Sequence, residues 1–170
     1  MNRIRTLAVA VAVLTLVVDQ ASKLWLLRGF DLARRQPFEV TPGFDLVLAW
    51  NRGISYSLLT AESDTGRYLL IAATLAAIML LAGWLYRTTT TLTGLALGLL
   101  IGGAAGNLVD RFAYGAVMDF VFLHAGSFRW YVFNGADCAI VAGVALLLVE
   151  WVVPRSTADA HKSPRSSQHS

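Results

Sequence analysis

Two stretches of this sequence carry no charge, and they lie almost end to end. Tyr68–Tyr86 contains no Asp, Glu, Lys or Arg, nor does Thr88–Val109, and Arg87 is the only charge between them. About 20 mostly apolar residues in a helix span the ~30 Å hydrocarbon core of a bilayer. Both stretches are of that order, so the pattern predicts two transmembrane helices joined by a short turn. Trp130–Val149 is a third such stretch, interrupted only by Asp137. The composition agrees: 15% of the 170 residues are charged, against roughly 25% in an ordinary soluble domain.

The first candidate helix has two readings. Met1–Arg5 is basic, and the uncharged run Leu7–Val18 has the length of a signal-peptide core, but no A-x-A cleavage site follows it. Instead Asp19 and Lys23 stand four residues apart, where helical side chains meet and can neutralise each other. A retained helix is therefore expected. The fold class that results is membrane all-α: four transmembrane helices at about 6–28, 67–86, 89–112 and 134–153, in one domain over residues 1–154. Four crossings put both termini on one side. A bare count of basic residues does not separate the sides, but Arg3, Arg5 and Arg87 favour cytoplasmic termini. Residues 155–170 are polar and are expected to form a disordered cytoplasmic tail, with His161 and His169 solvated.

The connection between the first two helices is the one sizeable extramembrane region. Phe44, Leu46, Leu48 and Trp50 alternate with Asp45, Val47, Ala49 and Asn51, which is the period of a strand. Thr41-Pro42-Gly43 before it is turn chemistry, and Ile54–Leu58 after Asn51-Arg52-Gly53 suggests a hairpin arm. A small extracytoplasmic β-hairpin or β-sheet element is thus expected at about 38–60, resting on the membrane surface or the helix ends. The lone Cys138 excludes an internal disulfide, and a net charge of +3, scattered as it is, gives no support to nucleic-acid binding.

The third helix carries Gly94, Gly98, Gly102 and Gly106, spaced by four, a pattern that admits a neighbouring helix at close range in lipid. Asp110 continues that stripe, and the adjoining one runs Gly103, Asn107, Arg111. Asp19, Asp110, Asp119 and Asp137 come from separate parts of the chain, yet the topology brings all four near the outer surface. Glu150, at the inner end of the fourth helix, reads as a boundary charge. An ionisable group in a membrane segment is costly and points to function by default. Asp19–Lys23 and Asp110–Arg111 also have a plain structural reading as local ion pairs. Asp119 and Asp137 have no such local cation.

Two carboxylates facing each other cannot both ionise cheaply, so they share a proton and titrate as a pair. That arrangement suits hydrolysis by activated water: one carboxylate takes a proton from water while the other protonates a peptide carbonyl. Asn134-Gly135-Ala136-Asp137 reads as a helix N-cap followed by its third residue, where the helix dipole favours an ionised Asp137. Asp119, between Met118 and Phe120, is expected to be desolvated and to hold the proton at neutral pH. The signatures H-E-x-x-H and G-x-S-x-G are absent, as is an E-x-x-H pair, so no metal or cofactor is expected. A proton-coupled transporter is the competing class, but no internal repeat is visible and the acids gather at one end. A structural scaffold would explain the glycines but not the two isolated acids.

Five blocks carry a resemblance to a known family: VVDQASK at 17–23, NRGISYS at 51–57, GGAAGNLVDR at 102–111, GAVMDF at 115–120 and FNGADCAI at 133–140. In this order and spacing the chain resembles the lipoprotein signal peptidases (signal peptidase II), membrane aspartic peptidases of bacteria. Ser55-Tyr56-Ser57 departs conservatively from the usual Ala-Phe-Ser. The resemblance implies an endopeptidase of the inner (cytoplasmic) membrane that cuts diacylglyceryl-modified prolipoproteins before the lipidated cysteine. It implies Asp119 and Asp137 as catalytic and Asp19, Lys23, Asn51, Asn107, Arg111 and Asn134 as supporting positions, with Asp110 and Gly53 beside them. Membrane lipids and globomycin-type inhibitors are the implied partners, with no metal. A monomer is expected.

Overall fold

The computed structural model describes residues 3–53 and 64–152. Helix α1, Arg3–Leu24, runs on through a wider turn, Trp25–Gly29, in which the Phe30 N–H bonds the Trp25 carbonyl at 2.8 Å. A short helix α2, Leu32–Arg35, leads to strands β1, Phe38–Thr41, and β2, Phe44–Asn51. Then come α3, Asp64–Arg87, and α4, Thr91–Tyr114; strands β3, Val117–Ala125, and β4, Phe128–Arg129; and α5, Gly135–Val152. Among the described residues, four helical segments, those of α1, α3, α4 and α5, are long and apolar enough to cross a membrane.

Helix α4 is the axis, with α1 and α5 seated in its glycine faces. A Cβ built on Gly102 would lie 2.5 Å from the Ala12 carbonyl oxygen of α1, and one on Gly103 would lie 2.6 Å from that of Ala136 in α5. Only glycine lets these backbones come so close, which is how helices gain van der Waals contact in lipid without a hydrophobic drive. Ala8, Leu85, Leu97 and Leu100 fill the seam between the helices. Leu14, Val18, Leu80, Val141 and Trp151 point outward, as side chains do when the solvent is hydrocarbon.

Polar contacts fix the alternating direction of the helices. The Arg5 guanidinium donates to the Tyr86 carbonyl at 2.5 Å and lies 4.0 Å above that residue's ring, joining the start of α1 to the end of α3. Arg67, near the start of α3, donates to the carbonyls of Arg111 and Phe112, each at 2.9 Å, and so satisfies the C-terminal end of α4. Helix α4 begins at Thr90, whose hydroxyl accepts from the Thr93 N–H, and ends at Gly115 with a φ of 76°. Glu150 is not the free boundary charge its sequence position suggests. Its carboxylate accepts from the Thr90 hydroxyl at 2.6 Å and from the Thr93 hydroxyl, so it closes the start of α4.

At the other end of the bundle lies an antiparallel sheet of order β1-β2-β3-β4. Strand β2 takes the residues its alternation predicts. Its hairpin partner is β1, through the turn at Pro42-Gly43; the arm expected at Ile54–Leu58 lies outside the described residues. The sheet is also larger than one loop can supply, because β3 and β4 come from the connection between α4 and α5. GAVMDFVF gave no period of two, and a short apolar run on its own does not distinguish strand from helix. Met118 and Phe120 of β3 pack with Leu26 and Leu32, forming a second core between the sheet and the end of α1.

Candidate active site at the seam of bundle and sheet

Asp119 is the third residue of β3 and is 3% exposed. Its strand position determines its first partner. Ala49 pairs with Asp119 and Asn51 with Val117, so Asn51 and Asp119 share one face of the sheet as diagonal neighbours. The Asn51 amide donates to Asp119 Oδ2 at 3.1 Å. Gly53 holds that amide in place: its N–H donates to Asn51 Oδ1 at 3.0 Å, from a backbone with φ of 134° that favours glycine.

The second carboxylate arrives with α5. Phe133 pairs with Val121 of β3, its N–H donating to the Val121 carbonyl at 3.0 Å and its carbonyl accepting from Val121 N–H at 2.8 Å. This lays the next residue, Asn134, against Asp119. Asn134 Nδ2 donates to Asp119 Oδ1 at 2.6 Å, while Asn134 Oδ1 accepts from the Asp137 N–H at 3.0 Å. Asp137 Oδ2 accepts in return from the Asn134 N–H at 3.2 Å, a reciprocal capping box that starts the helix. The expected N-cap reading of Asn134 thus matches the structure. Asn107 of α4 donates to the other oxygen, Asp137 Oδ1, at 2.9 Å. The fully buried Asn134 therefore touches both carboxylates, that of Asp119 through its side-chain amide and that of Asp137 through its main-chain N–H.

Beneath this pair lies a charged cluster. Lys23 Nζ is 2.8 Å from Asp19 Oδ2, 2.7 Å from Asp110 Oδ2 and 3.4 Å from Asn107 Oδ1. Asp110 is therefore not neutralised by its neighbour Arg111, as adjacency in sequence suggests. Successive helical side chains point about 100° apart, so Asp110 faces α1 while Arg111 does not. Arg111 lies within electrostatic reach of Asp110, Asp119 and Asp137, and its guanidinium approaches the Asn107 carbonyl at 3.4 Å. Gly106 leaves the room that Asp19 occupies, since a Cβ there would be 2.6 Å from Asp19 Oδ2.

The electrostatics of Asp119 differ from expectation in degree. Burial pushes its carboxyl up to about 6, aided by the negative charge of Asp137. That stops short of a proton held at neutral pH. The reason lies in the neighbours: the Asn51 and Asn134 amides donate to the carboxylate form, and Lys23 favours it too. The flanking Met118 and Phe120 predicted the burial, but not the amides that oppose it.

The structure brings Asp19, Lys23, Asn51, Asn107, Asp110, Asp119, Asn134 and Asp137 into one hydrogen-bonded cluster, with Gly53 and Arg111 at its margin. Trp50 packs on Tyr114 beside it, ring centroids 5.2 Å apart. One member was missed. Gln20 Nε2 lies 2.9 Å from Asp110 Oδ1, 3.2 Å from Asp19 Oδ2 and 3.1 Å from the Gly106 carbonyl. A polar amide beside Asp19 in an apolar helix was the available signal. His124 is not part of this cluster; it pairs with Asp45 at 3.2 Å on the sheet.

Bundle, sheet and carboxylate cluster together define a polytopic membrane protein with a polar centre at one end of its helices. Two solved structures of bacterial membrane enzymes share this fold. One aligns with a TM-score of 0.73 at 21% identity over 96% of this chain and 95% of its own, the other with 0.74 at 22% over 86% and 93%. Residues 11–153 match the sequence profile of the family described as Signal peptidase (SPase) II. The lipoprotein signal peptidase of Beijerinckia indica is 56% identical over 146 residues, which cover 86% of this chain and 87% of that protein. That of Rhodopseudomonas palustris is 51% identical over 158 residues, 91% and 96% of the two chains. The chain belongs to the signal peptidase II family, a family of peptidases.

Proposed function

We propose that this chain is an endopeptidase that removes signal peptides from diacylglyceryl-modified prolipoproteins, cutting before the lipidated cysteine. Its place is the inner membrane of a bacterium, with the sheet and the site at the outer leaflet and both termini in the cytoplasm. Residues 1–154 act as a single membrane domain. The observation that carries the mechanism is the asparagine-bridged pair: Asn134 donates its side-chain amide to Asp119 and its main-chain N–H to Asp137.

Asp119 is the carboxyl that carries the proton, because burial and the charge of Asp137 raise it. Asp137 then accepts a proton from a water molecule as that water's oxygen bonds to the scissile carbonyl carbon. Asp119 gives its proton to the carbonyl oxygen, and a neutral tetrahedral diol forms. As the diol collapses, Asp137 returns its proton to the leaving nitrogen, the C–N bond breaks, and Asp119 recovers a proton from a hydroxyl. Asn51, Asn107 and Asn134 hold the two carboxyls by amide hydrogen bonds, which orient without neutralising. A site at the membrane surface meets a peptide whose acyl chains remain in lipid, and the Trp50–Gly53 segment covers it. The protein works as a monomer without a metal and binds membrane lipids and globomycin-type inhibitors.

The test is Asp119→Asn and Asp137→Asn, made separately and assayed on a lipidated precursor. Each protein is expected to insert and bind precursor, with cleavage lowered by about 10²–10⁴-fold. Normal cleavage by either variant removes the dyad mechanism.

A further inference from the structure

Two buried carboxylates each accept the backbone N–H that immediately precedes a proposed catalytic aspartate. Asp110 Oδ2 accepts from the Met118 N–H at 3.1 Å, and Met118 precedes Asp119. Asp19 Oδ1 accepts from the Ala136 N–H at 3.0 Å, and Ala136 precedes Asp137. Lys23 Nζ joins the two carboxylates at 2.7 and 2.8 Å, and Gln20 Nε2 lies against both. A continuous polar path therefore runs from the backbone of β3 through Asp110, Lys23 and Asp19 to the first turn of α5.

We propose that Asp110, Lys23 and Asp19 form a positioning strut that sets the separation of Asp119 and Asp137 through the main chain, without touching substrate. The proposal rests on the dyad reading and gives these residues a specific task within it.

Three observations favour it over simple burial of charge. The strut residues are 1–2% exposed, so a substrate has no access to them. Their hydrogen bonds go to the two amides that flank the aspartates, one in each of two segments distant in sequence. Backbone bonds from Phe133 to Phe120 and Val121 tie the same segments past Asp119 in β3, whereas Asp110 holds the residue before it. A buried ammonium between two carboxylates is also a costly way to fill space, since apolar packing avoids the desolvation. Placement is where such a cost has a return, because a displacement of about 1 Å at a reacting group can lower a rate 10²-fold.

The experiment uses the full chain in lipid nanodiscs with a lipidated precursor peptide. Wild type, Asp110→Ala, Asp110→Asn and Asp119→Asn are compared, with rates given per folded molecule. Asp110→Ala is expected to lower kcat by about 10–100-fold with KM changed less than about twofold. Asp110→Asn keeps an oxygen for the Met118 N–H but weakens the link to Lys23, so its kcat falls between wild type and Asp110→Ala. In both variants the alkaline limb of kcat/KM is expected to move to lower pH. Asp119 faces Asp137 from α5, Lys23 from α1 and Arg111 from α4, with the Asn51 amide from β2. Loosening β3 would reduce the burial and the Asp137 contact that raise Asp119, and burial is the larger influence.

A role confined to folding would leave both the rate per folded molecule and the limb unchanged. An unmoved limb with wild-type kcat, or a higher KM at unchanged kcat, overturns the strut. If Asp110→Ala does not fold, Asp110→Asn decides by the same two readings. Retained cleavage by Asp119→Asn would instead overturn the dyad, so the two failures are distinguishable.

Discussion

Two pairs of carboxylates lie side by side at one end of this bundle, and they are held in opposite ways. Asp19 and Asp110 share an ammonium, that of Lys23, with both contacts under 3 Å. Asp119 and Asp137 are held by amides, Asp119 by those of Asn51 and Asn134 and Asp137 by that of Asn107. An ammonium fixes charge as well as place, because a buried cation must be matched by negative charge. An amide fixes place alone, because it is neutral in every protonation state of its neighbours. The first pair is therefore suited to holding structure, and the second to passing protons. Their juxtaposition lets one rigid, charge-matched unit support another whose charge must change.

The comparison can be broken most severely at Lys23. Lys23→Met leaves Asp19 and Asp110 buried without their cation, and removing one partner of a buried ion pair costs about 3–5 kcal/mol. The expected outcome is a large loss of folded protein from the membrane, read by yield and thermal midpoint. A stable Lys23→Met protein would show that the first pair needs no fixed charge and is not distinct from the second.

A smaller effect is expected from pH alone. In the proposed mechanism the reacting form needs one proton on the pair, and Asp119, raised by burial to about 6, releases its proton there in the free enzyme. As pH rises through that value the productive form is lost, so kcat/KM is expected to fall about tenfold per pH unit above it. Bound substrate buries Asp119 further and raises it more, so the matching limb in kcat lies at higher pH. A flat kcat/KM between pH 5 and 8 would contradict this assignment of the proton.

The smallest effect is expected at the opposite end of the helices. Glu150 accepts from the Thr90 and Thr93 hydroxyls at the start of α4, contacts that a neutral glutamine can largely reproduce. Glu150→Gln is expected to leave cleavage unchanged and to cost about 1 kcal/mol or less of stability. A loss of cleavage comparable to that of the dyad variants would mean that the two ends are coupled in a way the contrast between them does not contain.

Much of this architecture was legible because the bilayer imposes simple rules. Uncharged runs such as Thr88–Val109 have few destinations, and glycines four apart mark a face where another helix comes close. The alternation in β2 and the capping signal at Asn134 were equally local. What could not be read were pairings between segments far apart in the chain. β3 lacks alternation because Val117–Phe120 are buried on both faces, so its partnership with β2 had no periodic signature. Asp110 appeared to match Arg111 because adjacency is all a sequence displays, whereas helix rotation turned it toward Lys23.

Hydropathy and spacing along the chain set the membrane helices, the close-packed glycine face and the isolation of Asp119 and Asp137 from any local cation. These follow from transfer free energy and from spacing along one helix or strand, which are properties of neighbouring residues. Folding in three dimensions is what sets Asn134 against both Asp119 and Asp137, places Lys23 between Asp19 and Asp110, and aims those two carboxylates at the amides before Asp137 and Asp119. These are contacts among α1, α4, α5 and β3. They exist because backbone packing at the glycines and the pairing of Phe133 with Val121 bring distant groups within hydrogen-bond range, where direction and distance decide the partner.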